Sequence, residues 1–330
     1  GNINMYTGLL SVYLGAACLL WVSCPNKLRS IWYYVNVWVI FIALITGRSD
    51  NAYLSLAAAF TFIPIYAFRT RQGIRRYVVL LATFLTSLKV IEWISITYAD
   101  RVYRINSLYT SLVSFSKLIL LIKVLWIIAI ILYLIDFISK KADATVSPWF
   151  SRIWIGLIVI GFAAFLYVLD DVNIAGNADQ YGSAKSFLLF NDSWGTHRGV
   201  IWRLAIEDYQ DFTPLHKLFG YGPDTFGLVT YYHNMDIMSN VYHQIFDSAH
   251  NEYLQFFITV GPIGLLSYLA IFVTAFIRII KKGCQNPYVI AAMFGVLCYS
   301  AQATVNIGTP ITIPIMFLFL SMALAGCREA

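Results

Sequence analysis

Charge is what this sequence has least of. Of its 330 residues only 12% are Asp, Glu, Lys or Arg, about half the share of a soluble domain. Apolar side chains make up 59% and aromatics 16%. That balance excludes a water-soluble globular fold. Strict apolar–polar alternation, the mark of a membrane β-barrel, is also missing; the apolar runs are continuous and 17 to 23 residues long. Lipid cannot hydrogen-bond the backbone, so continuous runs must become helices. There is no phosphate-binding Gly-x-x-x-x-Gly-Lys loop, no Gly-rich nucleotide fingerprint and no Gly-x-Ser-x-Gly elbow. ATP-driven transport and serine-hydrolase chemistry therefore lack support. The expected fold is an all-α polytopic integral membrane protein.

The net charge of +6 concerns topology rather than nucleic acid. Thirteen of the 23 basic residues fall at Lys27/Arg29, Arg69/Arg71/Arg75/Arg76, Lys140/Lys141/Arg152, Arg278/Lys281/Lys282 and Arg328, between apolar runs or at the end of the chain. No basic stripe pairs with stacking aromatics outside those runs, so no nucleic-acid partner is expected. Nine spans are drawn, at 5–22, 31–46, 52–68, 77–98, 118–138, 153–169, 252–277, 288–305 and 309–326. Strict alternation then places every basic cluster inside, and only Arg48, Arg101, Arg104 and, at the edge of the next span, Lys117 in the short outer loops. The chain divides into a first helical set (1–169), an outer loop (170–251) and a last helical set (252–330), with the N-terminus outside.

Residues 170–252 hold eleven of the seventeen acidic residues, against only Lys185, Arg198, Arg203 and Lys217. All five histidines (His197, His216, His233, His243 and His250) are there too. The groups able to exchange protons near neutral pH therefore face one compartment. None of the five cysteines lies in this loop. Val200, Ile201, Leu204, Ala205 and Tyr209 follow helical spacing, which predicts a surface helix over 198–210. Arg203 and Glu207, four apart, can pair on it. Gly220-Tyr221-Gly222-Pro223 reads as a turn. Gly261-Pro262-Ile263-Gly264 should kink the helix that follows.

His250 falls at the start of that helix. The positive dipole end there disfavours an imidazolium and leaves a neutral base; the plainer reading is a capping or interfacial histidine. Arg198 is one of few cations among acids, and its planar guanidinium suits a phosphate or pyrophosphate. Lys89 and Glu92, three apart, should pair with each other. Lys117 should snorkel to the interface. Lys123 has no acid within helical-neighbour spacing in its apolar run and is, with Arg101 and Arg104, a candidate for an anionic lipid headgroup. His243, Asp247 and His250 have a spacing that could line one helix face with metal ligands. The same stretch reads better as a loop running into a cap, so no metal and no cofactor are expected.

Several of these segments together resemble one family. Arg198-Gly-Val-Ile-Trp202, Leu218-Phe-Gly-Tyr-Gly-Pro223, Ala249-His250-Asn251-Glu-Tyr-Leu254 and Gly261-Pro-Ile-Gly264 look like the bacterial O-antigen ligase/polymerase family. Its ligases carry a His-Asn pair, nine residues, then Gly-x-x-Gly, the spacing found from His250-Asn251 to Gly261. A leucine is common four residues after the arginine; Trp202 stands there here. Family members usually have more helices than nine, which implies helices upstream of Gly1. The resemblance covers about the last 130 residues. It implies glycosyl transfer without a metal, on the periplasmic side of the bacterial inner membrane. The donor would be a glycan on undecaprenyl pyrophosphate; the acceptor would be lipid A–core for a ligase, or a second lipid-linked glycan for a polymerase. His250 would be the base, Arg198 would stabilise the leaving pyrophosphate, and Asn251 would orient histidine or acceptor. Asn251, Trp202, Arg203, Lys123, Arg101 and Arg104 are the expected substrate-binding residues. A transporter or flippase is the rival of another class; it should break its helices at the midplane instead.

Overall fold

The computed structural model describes residues 3–105, 107–139, 144–282 and 286–327. Gly1, Asn2, Lys140, Lys141, Cys284 and Arg328 lie outside the described residues. The chain is helical throughout: α1 (Ile3–Ser23), α2 (Lys27–Thr46), α3 (Ala52–Ala67), α4 (Arg71–Thr97), α5 (Ser107–Val113), α6 (Leu118–Ser139), α7 (Trp149–Asn173), α8 (Lys185–Leu188), α9 (Trp194–Gln210), α10 (Pro214–Phe219), α11 (Phe226–Asp236), α12 (Glu252–Thr259), α13 (Gly261–Lys281), α14 (Pro287–Ala303) and α15 (Thr312–Gly326). Among the described residues the only extended pairing is a bridge between Thr70 and Thr145. Six helices are long and apolar enough to cross a membrane: α1, α2, α4, α6, α7 and α13. The other three expected spans correspond to α3, α14 and α15, apolar helices of 16, 17 and 15 residues. This is a helical membrane protein.

The chain forms two compact units that do not follow the division by topology. The first comprises 1–156, 275–302 and 309–330; the second comprises 157–274 and 303–308. In the first unit Leu14, Leu19, Phe41, Leu44, Ile45, Leu80 and Leu88 are fully buried between α1, α2 and α4. Small residues let the helices approach. A Cβ on Gly15 would meet the Phe294 carbonyl oxygen at 2.2 Å, and one on Gly73 the Ala67 oxygen at 1.9 Å. α6 exposes apolar side chains along most of its length, the surface a bilayer covers.

Two helix starts differ from the expected spans. α2 begins at Lys27 rather than near 31, because the Asn26 side chain accepts the Arg29 N–H. α4 begins at Arg71 rather than near 77, because Thr70 caps it through the Gly73 N–H at 3.0 Å. Arg71, Arg75 and Arg76 thus belong to the helix and not to a loop. Arg75 pairs with buried Asp136 of α6 at 2.6 Å. Arg76 donates to the Trp21 and Cys24 carbonyls and lies over the Trp21 ring at 4.7 Å. Lys89 and Glu92 do pair, at 2.6 Å.

In the second unit α9, α11 and α12 enclose a separate apolar core around Val200, Leu204, Ala205, Phe226, Met238 and Ile258. The expected single span over 252–277 is divided. α12 ends at Thr259, Gly261 has φ +71°, and α13 resumes as the span. A left-handed residue followed by a proline without an N–H breaks the helix instead of merely kinking it. Only glycine fits there: a Cβ on Gly261 would meet the Leu218 carbonyl oxygen at 2.1 Å. Gly220 abuts the Thr259 carbonyl in the same way, and the Gly222 N–H donates to it at 2.8 Å. The Leu218–Pro223 and Gly261–Gly264 segments, distant in sequence, therefore pack on each other.

Candidate functional site

The site is built by α9, the irregular segment 242–251 and the start of α12, all in the second unit. The helix expected over 198–210 is present as the regular part of α9. Before it, Gly195, Thr196 and His197 form a left-handed turn with φ of 59°, 59° and 70°. Left-handed backbone costs roughly 1–2 kcal/mol for each non-glycine residue, so the surroundings must hold this turn. Asp192 does much of that. Its carbonyl accepts the Val200 N–H at 3.2 Å, and its carboxylate pairs with Arg203 at 2.7 Å. Gly199 allows the approach, since a Cβ there would meet the Asn191 oxygen at 1.9 Å. Arg198 follows the turn and donates to the Gly195 carbonyl.

His250 also has left-handed backbone, with φ +47°. It lies one residue before the α12 cap, not within the first turn. The cap is Asn251, whose side-chain oxygen accepts the N–H groups of Tyr253 and Leu254, both at 3.1 Å. The residue before His250 is clamped from both sides. The Trp202 indole donates to the Ala249 carbonyl at 2.8 Å, and the Ala249 N–H donates to the Gln255 side-chain oxygen at 2.8 Å. Ala249 is fully buried. Trp202 packs on Trp194 at 5.2 Å between ring centres, and Trp194 on Phe190 at 4.8 Å. An aromatic row running from Phe190 into α9 thus fixes the segment that presents the histidine.

Burial pushes the His250 imidazole below its ordinary value, the nearby Arg198 guanidinium lowers it further, and Asp247 partly opposes both. The neutral form expected from a helix dipole is favoured, but mainly through desolvation and a neighbouring cation. His250 Nδ1 is buried and makes no hydrogen bond. The other histidines are engaged: His197 against the Tyr242 ring, His216 stacked on Tyr221 at 3.8 Å, His233 beside Asp208 at 3.6 Å, and His243 on the Ser239 carbonyl at 2.7 Å.

Arg203 is held by two carboxylates, Asp192 and the expected Glu207, the latter at 3.0 Å. These hydrogen bonds raise its pKa and lower that of Asp192. Arg101, Arg104 and Lys123 belong to the first unit; all three are exposed, the arginines after α4 and the lysine on α6. His243, Asp247 and His250 share no helix, because 242–251 is irregular. Among the described residues no group of three or more His, Cys, Asp or Glu is placed to hold a metal ion. Gln255 had no signal in the sequence. Nor did buried Glu252, whose carboxylate accepts the Tyr268 hydroxyl. No family model and no curated protein matches the chain.

Proposed function

We propose that this chain is a glycosyltransferase of the O-antigen ligase type, acting at the periplasmic face of the bacterial inner membrane. It would move a glycan from undecaprenyl pyrophosphate onto lipid A–core. The observation that carries the reading is a neutral, half-buried imidazole with an unpartnered Nδ1, on strained backbone, in the electrostatic reach of Arg198. Strain of this kind persists where surrounding contacts over-determine it, and it concentrates at functional sites. His250 takes the proton of the acceptor hydroxyl as its oxygen attacks the anomeric carbon. The bond from that carbon to the pyrophosphate oxygen breaks from the opposite side, inverting the centre. Arg198 stabilises the negative charge that develops on the leaving pyrophosphate. Trp202, Gln255 and Asn251 hold the base in place and touch no reacting atom.

Gene disruption followed by gel analysis of the surface polysaccharide tests the reading. Loss of polymer from lipid A–core, with accumulation of lipid-linked polymer, is the expected result. Single repeat units left on core would assign the chain to the polymerases instead. An unchanged polysaccharide, or repeat units trapped on the cytoplasmic side as a flippase would leave them, would overturn it.

A further inference from the structure

The first unit contains a feature that glycosyl transfer does not use. α1, α2, α14 and α15 wall an open groove of about 430 Å³, within the usual range for small-molecule sites, roughly 300–1,000 Å³. Its floor is made of small residues, Ala16 and Ala17 on α1 and Ala291 and Ala292 on α14. Along α1 it runs from Leu10 to Leu20. At 1.5 Å per residue that is about 15 Å, half of the roughly 30 Å hydrocarbon core. A single acyl chain of one leaflet has that reach.

One end of the groove differs from the other. Trp32 and Tyr33 of α2 and Tyr288 of α14 line it within two turns of their helix starts. Aromatic residues of this kind sit at headgroup level. The groove-lining stripe of α2 is Trp32, Tyr33, Asn36 and Ile40. Arg29, three and four residues before its first members, continues the stripe beyond the groove. Lys27 lies at the same level on the other side of the helix, and both cations are exposed. None of the four wall helices contains an acidic residue; residues 1–49 and 253–328 have none at all. An exposed arginine at the mouth of an apolar channel, a second cation at the same level, and no carboxylate on any wall complement an amphiphile with an anionic head.

We propose that this groove binds one anionic phospholipid, its acyl chain along α1 and its phosphate against Arg29, with Lys27 adding positive charge at the same level. A basic pocket between membrane helices attracts such headgroups. The site does not depend on the catalytic reading, and loss of transfer activity would leave it standing.

Native mass spectrometry of the full chain in detergent tests it, with phosphatidylglycerol and phosphatidylcholine of identical acyl chains as probes. One phosphatidylglycerol should bind at least about tenfold more tightly than phosphatidylcholine, as expected from two basic residues near the headgroup. The double variant Lys27→Gln/Arg29→Gln should erase that preference while keeping residual binding of both lipids. Trp32→Ala, at a 65% exposed position that does not support the core, should weaken both lipids alike. Ala17→Phe should do the same by filling the floor. Equal binding of the two lipids by the parent, or a preference that survives the double variant, would overturn the proposal. So would unchanged binding in Trp32→Ala, displacement by inorganic phosphate at matched concentration, or a second copy of the chain in place of lipid.

Discussion

The two units place their charged residues differently. In the first, Arg75 is tied to buried Asp136, Arg76 to the Trp21 and Cys24 carbonyls, and Lys89 to Glu92. Each cation ties one helix to another or to its own neighbour, as membrane interiors require of charge. In the second unit a histidine nitrogen is buried with no hydrogen bond, and Arg198 works against protonation of that ring. Backbone strain divides the same way. Of the six described non-glycine residues with positive φ, Arg48 is in the first unit; Thr196, His197, Asp224, His243 and His250 are in the second. One unit uses polar groups to hold helices together. The other concentrates left-handed backbone around the proposed site.

Substitutions can break or sharpen that contrast. The largest effect is expected at His250. His250→Ala should lower transfer by roughly 10²–10⁴-fold, the usual contribution of a general base, with thermal stability equal to or above the parent. A transfer rate within a few-fold of the parent, at normal expression, places the base elsewhere. Asp136→Ala should show the reverse pattern in the first unit. Removing one partner of a buried pair costs about 3–5 kcal/mol, so the melting temperature should fall steeply while the folded fraction transfers normally.

Trp202→Phe deletes one hydrogen bond, to the Ala249 carbonyl. A net value of about 1 kcal/mol corresponds to a several-fold loss of kcat, with KM for the acceptor little changed. The smallest effect belongs to Arg203→Gln. The side chains of Arg203 and its two partners are between 44% and 52% exposed, and exposed pairs contribute about 0–1 kcal/mol. Stability should drop by no more than that in urea unfolding. A large loss of transfer in this variant would move Arg203 into the catalytic group.

Much of this was legible in the sequence because it is local. Continuous apolar runs mark the spans, helical spacing marks α9, the four-residue interval pairs Arg203 with Glu207, and Gly-Pro marks the interruption after Thr259. The two displaced helix starts were missed because capping by Asn26 and Thr70 outweighs the charge of Lys27, Arg29 and Arg71. The geometry around His250 could not be read at all. It depends on a tether from Trp202 to Ala249 across 47 positions, and on a left-handed turn at Gly195–His197 held by the Val200 bond to the Asp192 carbonyl and the close approach of Gly199 to Asn191. Neither leaves a periodic trace. The depressed imidazole was expected from a helix end, yet burial and Arg198 produce it.

The pH dependence of transfer by the purified, membrane-reconstituted chain tests the central claim most directly. A base whose pKa is held below the ordinary histidine value of 6.5 is deprotonated throughout the neutral range, so the rate should be flat there and fall only below pH 6.5. Arg198→Gln removes a lowering charge and should move that acidic limb upward; Asp247→Asn removes a raising charge and should move it down. A parent rate that climbs between pH 6.5 and 8, or a limb that stays in place in both variants, would contradict a neutral His250 acting as the base.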